Sequence, residues 1–277
     1  MNRLPAFVFV FLLLFSLSLA ESGSGNITPV TLSPDTAVPE KTFLPWRPAA
    51  LLEADRAVID TDDRMTVRDV ASYPFSAIAA MEFSPSCRHA GWTSTGFLIG
   101  PDWLLTAGHC LFCPQCHTGS GSMVLYFGFL GERNYFARYT GSDWHAWVSD
   151  RVVSGENYHE EDYAIIRLDE RIGDRTGFFG LDFTLSDDDL RGRDFHVTGY
   201  AKGILRHGSE RVQALSSRFL RHFADTEPGY SGCPVYDDDF RAIAINTAAA
   251  EDGTENYAVR ITSQLYALMQ ECGYGKE

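Results

Sequence analysis

From Thr95 to Ile261 the apolar residues fall in short runs, each closed by glycine, proline or a polar turn. The runs are Thr95 to Ile99, Trp103 to Ala107, Met123 to Phe129 and Tyr163 to Leu168. After a turn-rich passage near Arg171 to Gly180 come Asp194 to Tyr200, Arg218 to Phe223, Cys233 to Tyr236, Arg241 to Thr247 and Tyr257 to Ile261. No long helical pattern interrupts them, and no internal repeat is seen. Short strands at this spacing predict an all-β sandwich or barrel. At the end of the chain Ile261, Leu265, Leu268 and Cys272 recur at helical intervals, which predicts one amphipathic C-terminal helix. A chain of 277 residues that is 45% hydrophobic can bury a substantial core, as one large domain or two small ones.

Three short stretches carry chemistry. In Asp225-Thr-Glu-Pro-Gly-Tyr-Ser-Gly-Cys-Pro-Val-Tyr236, Ser231 stands between glycines at the mouth of an apolar strand. Gly229 and Gly232 lack a Cβ, so the backbone can turn tightly and aim amide N–H groups at a developing oxyanion. A hydroxyl is a weak nucleophile and needs a base and an orienting acid. Trp103-Leu-Leu-Thr-Ala-Gly-His-Cys110 presents His109 at the end of a strand, and Glu161-Asp-Tyr-Ala-Ile-Ile-Arg-Leu168 sets Asp162 at the head of another. Singly, a Gly-x-Ser-Gly is an ordinary turn, and a lone histidine or strand-edge aspartate is ordinary structure. Together, in the order His, Asp, Ser, they point to a nucleophilic triad.

At these residues the chain resembles the trypsin-like serine proteases, whose histidine lies in TAGHC and whose serine lies in G-x-S-G-x-P. The segment Val58-Ile-Asp-Thr-Asp-Asp-Arg64, followed by Tyr73-Pro74, resembles the start of mature bacterial glutamyl endopeptidases, with Asp60 where that group tends to have glycine. The resemblance implies two antiparallel six-stranded β-barrels with a closing C-terminal helix, the first over about 57–171 and the second over about 172–277. His109 and Asp162 would belong to the first, Ser231 to the second, and the site to the cleft between them. It further implies peptide-bond hydrolysis through an acyl-enzyme, an oxyanion hole from the N–H groups of Gly229 and Ser231, no cofactor or metal, and a monomer acting on protein or peptide substrates.

The chain departs from the family at several points. Tyr230 replaces the aspartate that pairs with the new N-terminus in the digestive enzymes, and Pro228 and Cys233 stand where small residues are common. In the pocket for the residue before the scissile bond, the resemblance marks Asp225, Thr226, Asn246 and Thr247. Asp225 occupies the position that selects Arg or Lys in trypsin. Asn246 replaces the histidine with which glutamyl endopeptidases read glutamate, and a neutral amide supplies no compensating charge. Strict glutamate preference is therefore expected to be lost in favour of a neutral or basic residue.

The Cys110-Leu-Phe-Cys113-Pro-Gln-Cys116-His117 cluster has three readings: disulfide formation, the start of a metal site, or c-type haem attachment through Cys113-x-x-Cys116-His117. The resemblance favours a disulfide there, with Cys87 to Cys110 the pairing it suggests. The alternatives to a protease are a serine-protease-like protein that binds without cutting and an exported haem protein.

Residues 1–20 have the layout of a secretory signal peptide: Arg3, an apolar run from Ala6 to Leu19, then Ala20 at the expected cleavage point. Residues 21–56 are rich in Ser, Thr, Pro and Gly and read as a propeptide or linker, leaving 57–277 as the peptidase domain. Arg56 offers a processing site, so the active chain is expected to begin near Ala57 or Val58. The protein is expected to be secreted or periplasmic, where its six cysteines can pair. A net charge of −14 argues against nucleic acid or an anionic membrane surface as a partner.

Overall fold

The computed structural model describes residues 26–30, 58–59, 61–84, 93–119, 121–131, 134–141, 143–155, 158–250 and 252–276. The expected signal peptide and Cys87 lie outside them, as does most of the expected propeptide.

Two β-structures share one buried seam. In the first, six antiparallel strands follow each other in the order His145–Ser149, Ala164–Arg167, Trp103–Thr106, Thr93–Leu98, Ile78–Ser84 and Ser122–Phe127. A short strand is added at each edge, Ile27–Val30 and Ala137–Tyr139. In the second, six strands close into a ring: Pro234–Tyr236, Asp194–Ala201, Ile204–Ala214, Phe219–His222, Asn256–Arg260 and Arg241–Ala249, which returns to Pro234–Tyr236. The fold is mostly β, one closed six-stranded ring beside a second antiparallel sheet, with a C-terminal helix.

Strands near the seam are buried on both faces, which explains their unbroken apolar runs. Leu104 and Ile166 point into the core of the first β-structure, whereas their neighbours Leu105 and Ile165 join a cluster shared by both halves. Phe179 anchors that shared cluster, meeting Phe97 of the first half edge-on at 5.7 Å and Tyr236 of the second at 5.0 Å between ring centres. Phe195, Val197, Val212, Leu220 and Val235 fill the second barrel.

The helix Ser263–Cys272 begins where the Thr262 hydroxyl accepts from the Leu265 N–H at 3.2 Å and ends at Gly273, left-handed at φ 108°. Its Leu265, Leu268 and Met269 close the shared core.

Two segments lie elsewhere than their sequence suggested. Ile27–Val30, within the expected linker, pairs with the edge strand His145–Ser149, and the Thr28 hydroxyl donates to Asp150. An open sheet edge offers unpaired backbone groups to any extended segment, a demand too local to leave a periodic pattern. Met65–Thr66 pairs with Ile204–Ala214, and the Val67 N–H donates to Leu205 O at 2.9 Å, so the expected first-barrel span begins against the second barrel.

Candidate active site

Strand register brings His109 to Asp162. Thr106 pairs with Ala164, so two further steps set Gly108 opposite Asp162. A Cβ on Gly108 would lie 2.9 Å from Tyr163 O and 3.2 Å from Asp162 Oδ1, so only glycine lets the strands approach this closely. Asp162 then engages His109 twice: Oδ1 accepts from the His109 backbone N–H at 2.8 Å, and Oδ2 meets Nδ1 at 2.6 Å. The pair fixes the ring with Nδ1–H toward the carboxylate and Nε2 available as an acceptor. Burial is the largest single influence and opposes the imidazolium, but the charge and hydrogen bond of Asp162, together with the neighbouring Cys110, outweigh it and hold the His109 pKa well above the ordinary value.

Ser231 arrives on two successive tight turns. The Tyr230 N–H donates to Glu227 O at 3.0 Å across Pro228 and Gly229, with Gly229 at φ 109°. Proline second and a left-handed glycine third define a type II turn. Pro228 occupies a position whose N–H the turn does not use. The Cys233 N–H donates to Tyr230 O at 2.9 Å across Ser231 and Gly232, the latter at φ 86°, which makes a second turn of the same type. In a type II turn the middle peptide stands across the turn plane, so the first of these directs the Gly229 N–H. Among the described residues neither the Gly229 nor the Ser231 N–H donates to a protein acceptor, and the Ser231 hydroxyl makes no hydrogen bond.

The serine turn is pressed against the first barrel. A Cβ on Gly232 would overlap Thr106 Oγ1 and the Thr95 carbonyl and lie 2.9 Å from the Ala107 N, two residues before His109. Ser231 O accepts from the Thr95 N–H at 2.9 Å and from the Cys110 thiol at 3.8 Å. Sequence reasoning missed Thr95. Its hydroxyl donates to Gly229 O at 2.7 Å and accepts from the Tyr200 N–H at 2.9 Å, and its carbonyl accepts from Thr106 Oγ1 at 2.8 Å. A polar residue at the head of an apolar strand was the available signal.

The four expected pocket residues are all buried, and each has protein partners. Asp225 accepts from the Ile59 N–H at 2.6 Å and the Asp63 N–H at 3.2 Å, while burial raises its pKa. Thr226 donates to Asn256 at 2.8 Å, and the Thr247 hydroxyl lies 3.5 Å from Tyr257 O. Asn246 meets His222 Nε2 through Oδ1 at 2.9 Å and donates from Nδ2 to Tyr230 O at 3.3 Å. His222, which sequence reasoning also missed, is fully buried and its pKa falls to about 4, so it is a neutral donor to Asn246. Cys113 to His117 form the tip of a small hairpin whose His117 Nδ1 lies 3.2 Å from Val153 O. Among the described residues no three His, Cys, Asp or Glu side chains gather as a metal-holding group.

The profile of the trypsin-like peptidase domain matches residues 94–245, which contain all three candidate catalytic residues. The chain belongs to that family. Among curated proteins, this peptidase is 28% identical over 233 residues to a glutamyl endopeptidase of Bacillus licheniformis, covering 79% of this chain and 70% of the relative. It is 26% identical over 222 residues to a protein of Bacillus subtilis named extracellular metalloprotease, covering 77% and 69%. A solved Glu endopeptidase superposes on it with a TM-score of 0.68 at 21% identity, covering 78% of this chain and 98% of that one. The trypsin-like peptidase described here is a serine endopeptidase of mostly β structure, acting on protein or peptide substrates.

Proposed function

We propose that the chain is a secreted endopeptidase in which Ser231 is the nucleophile, His109 the general base and acid, and Asp162 the group that orients the imidazole. The observation that carries this reading is the two-point grip of Asp162 on His109, with the Ser231 turn docked two residues away at Ala107. Ser231 Oγ attacks the peptide carbonyl as its proton passes to His109 Nε2, and the Gly229 and Ser231 N–H groups receive the oxyanion. His109 then protonates the leaving amine, giving an acyl-enzyme that water, activated by the same imidazole, hydrolyses. An unbonded serine hydroxyl is compatible with this route, because catalytic contacts commonly tighten only with substrate in place.

For the residue before the scissile bond we propose a neutral side chain. The Asp225 carboxylate is already bonded to two backbone N–H groups, and Asn246 is bonded to a neutral histidine, so the pocket offers neither a bare anion nor a cation. The leader over residues 1–20 and the extracellular relative support export. Among the described residues no helix is long and apolar enough to cross a membrane.

A fluorophosphonate probe tests the mechanism: labelling of the processed protein at Ser231, located by peptide mass spectrometry, is expected, and an unlabelled folded protein would end it. A peptide library varied at the residue before the cut tests the pocket, where cleavage confined to glutamate sites would refute the neutral preference.

A further inference from the structure

The turn that directs the Gly229 N–H is gripped by a segment far away in sequence. Ile59 and residues 61–64 lie beside Asp225 to Tyr230, with the Ile59 and Asp63 N–H groups bonded to the Asp225 carboxylate. Arg64 completes the contact with a fully buried side chain. Its Nη2 lies 3.2 Å from Glu227 Oε2, an ion pair without hydrogen-bond alignment, and its guanidinium carbon lies 5.2 Å from the centre of the Tyr230 ring. Nε and Nη2 also donate to the two Asp62 oxygens, each at 2.8 Å, which sets the plane of the fork. Glu227 and Tyr230 are the first and last residues of the type II turn, so one buried cation touches both of its ends. Tyr230 cannot retreat, because its ring fills the space where a Gly199 Cβ would stand, 2.8 Å away.

We propose that Arg64 is a positioning residue for the oxyanion hole, holding the ends of the Glu227–Tyr230 turn so that its middle peptide keeps the Gly229 N–H directed toward the reacting carbonyl. Type I and type II turns differ chiefly by a flip of that peptide, and glycine tolerates both forms, so the sequence of the turn alone does not hold one of them. Lys202 at 2.9 Å and Arg206 at 3.7 Å also meet Glu227, and Lys202 is half exposed to screening solvent. Because they remain to balance Glu227 when Arg64 is removed, loss of Arg64 does not leave that carboxylate alone.

The inference rests on Ser231 acting as the nucleophile, and the test separates the two. Processed Arg64→Ala, Glu227→Gln and Lys202→Ala proteins would be compared with the parent for kcat, KM and inhibition by a peptidyl aldehyde, whose hemiacetal oxygen occupies the oxyanion position. Rates would be normalised to active sites titrated with a fluorophosphonate, so a misfolded fraction does not count. For Arg64→Ala we expect kcat to fall about 10- to 100-fold, KM to move little, and aldehyde affinity to fall in parallel. Glu227→Gln should show the same pattern more weakly, and it carries the test if Arg64→Ala does not fold. Lys202→Ala should stay within about twofold of the parent. Unchanged kcat and aldehyde affinity in folded Arg64→Ala or Glu227→Gln would overturn the proposal, as would an equal loss in Lys202→Ala. Full activity in Ser231→Ala would instead refute the nucleophile assignment.

Discussion

The two halves of the candidate site are built by different means. His109 and Asp162 lie just beyond the facing ends of two neighbouring antiparallel strands of one sheet, His109 in the helical turn Gly108–Leu111, where register and two hydrogen bonds set their geometry. Ser231 sits on a double turn at the very end of a ladder, where the Gly232 N–H donates to Asn246 O at 2.7 Å, and is placed as well by a glycine pressed onto the other β-structure, by Thr95 and by Ile59, Asp63 and Arg64. A base can be positioned within one sheet. A nucleophile and its oxyanion hole on a loop depend on contacts from outside that loop, and so are more open to disturbance.

The comparison breaks most completely when the chemistry itself is removed. Ser231→Ala or His109→Ala should lower kcat by about a millionfold while the melting temperature stays near that of the parent, since triad members act as a unit. Background-corrected peptide hydrolysis on the purified variants checks this.

Next comes the first-barrel half. Asp162→Asn should cost about ten-thousandfold in kcat. The parent's pH profile carries a sign as well: only neutral His109 accepts a proton, and Asp162 raises its pKa, so kcat/KM should climb with pH on an acid limb lying above that of a free imidazole. In Asp162→Asn that limb should move to lower pH. An unmoved limb would mean that another group controls it.

The second-barrel half should respond to substitutions that add or remove no catalytic group. Gly232→Ala puts a methyl into Thr106 Oγ1 and the Thr95 carbonyl and strains a left-handed φ. It should cost about 2–4 kcal/mol of stability and at least about 100-fold in kcat. Chemical denaturation and active-site-titrated kinetics would measure both.

The smallest effect is expected at Thr95. Thr95→Val keeps the shape but leaves the Tyr200 N–H without its acceptor, for about 1–3 kcal/mol of stability and a loss in kcat of about tenfold or less. A loss as large as that of Asp162→Asn would show that the serine turn depends on this one hydroxyl more than on its other supports.

Much of this was legible in order of residues. The strand runs, the closing helix and the three catalytic candidates could be read because each depends on local signals: apolar periodicity, glycine turns and a short motif. The pairing of Ile27–Val30 was not legible, since any extended segment can dock on an open edge. Pro228, a departure from the family on paper, fits its turn because the N–H it lacks is one that a type II turn leaves unused.

The sequence alone determined the all-β class and the identities of Ser231, His109 and Asp162 as candidates, because composition and spacing survive without coordinates, while only the resemblance to glutamyl endopeptidases marked Asn246. Only the tertiary structure decided that Asp225 is bonded to the Ile59 and Asp63 N–H groups, that buried His222 stands behind Asn246, and that Arg64 reaches Glu227 and Tyr230. Those contacts join residues far apart along the chain. What a buried carboxylate, amide or guanidinium does is set by whichever groups the fold places within a hydrogen bond of it.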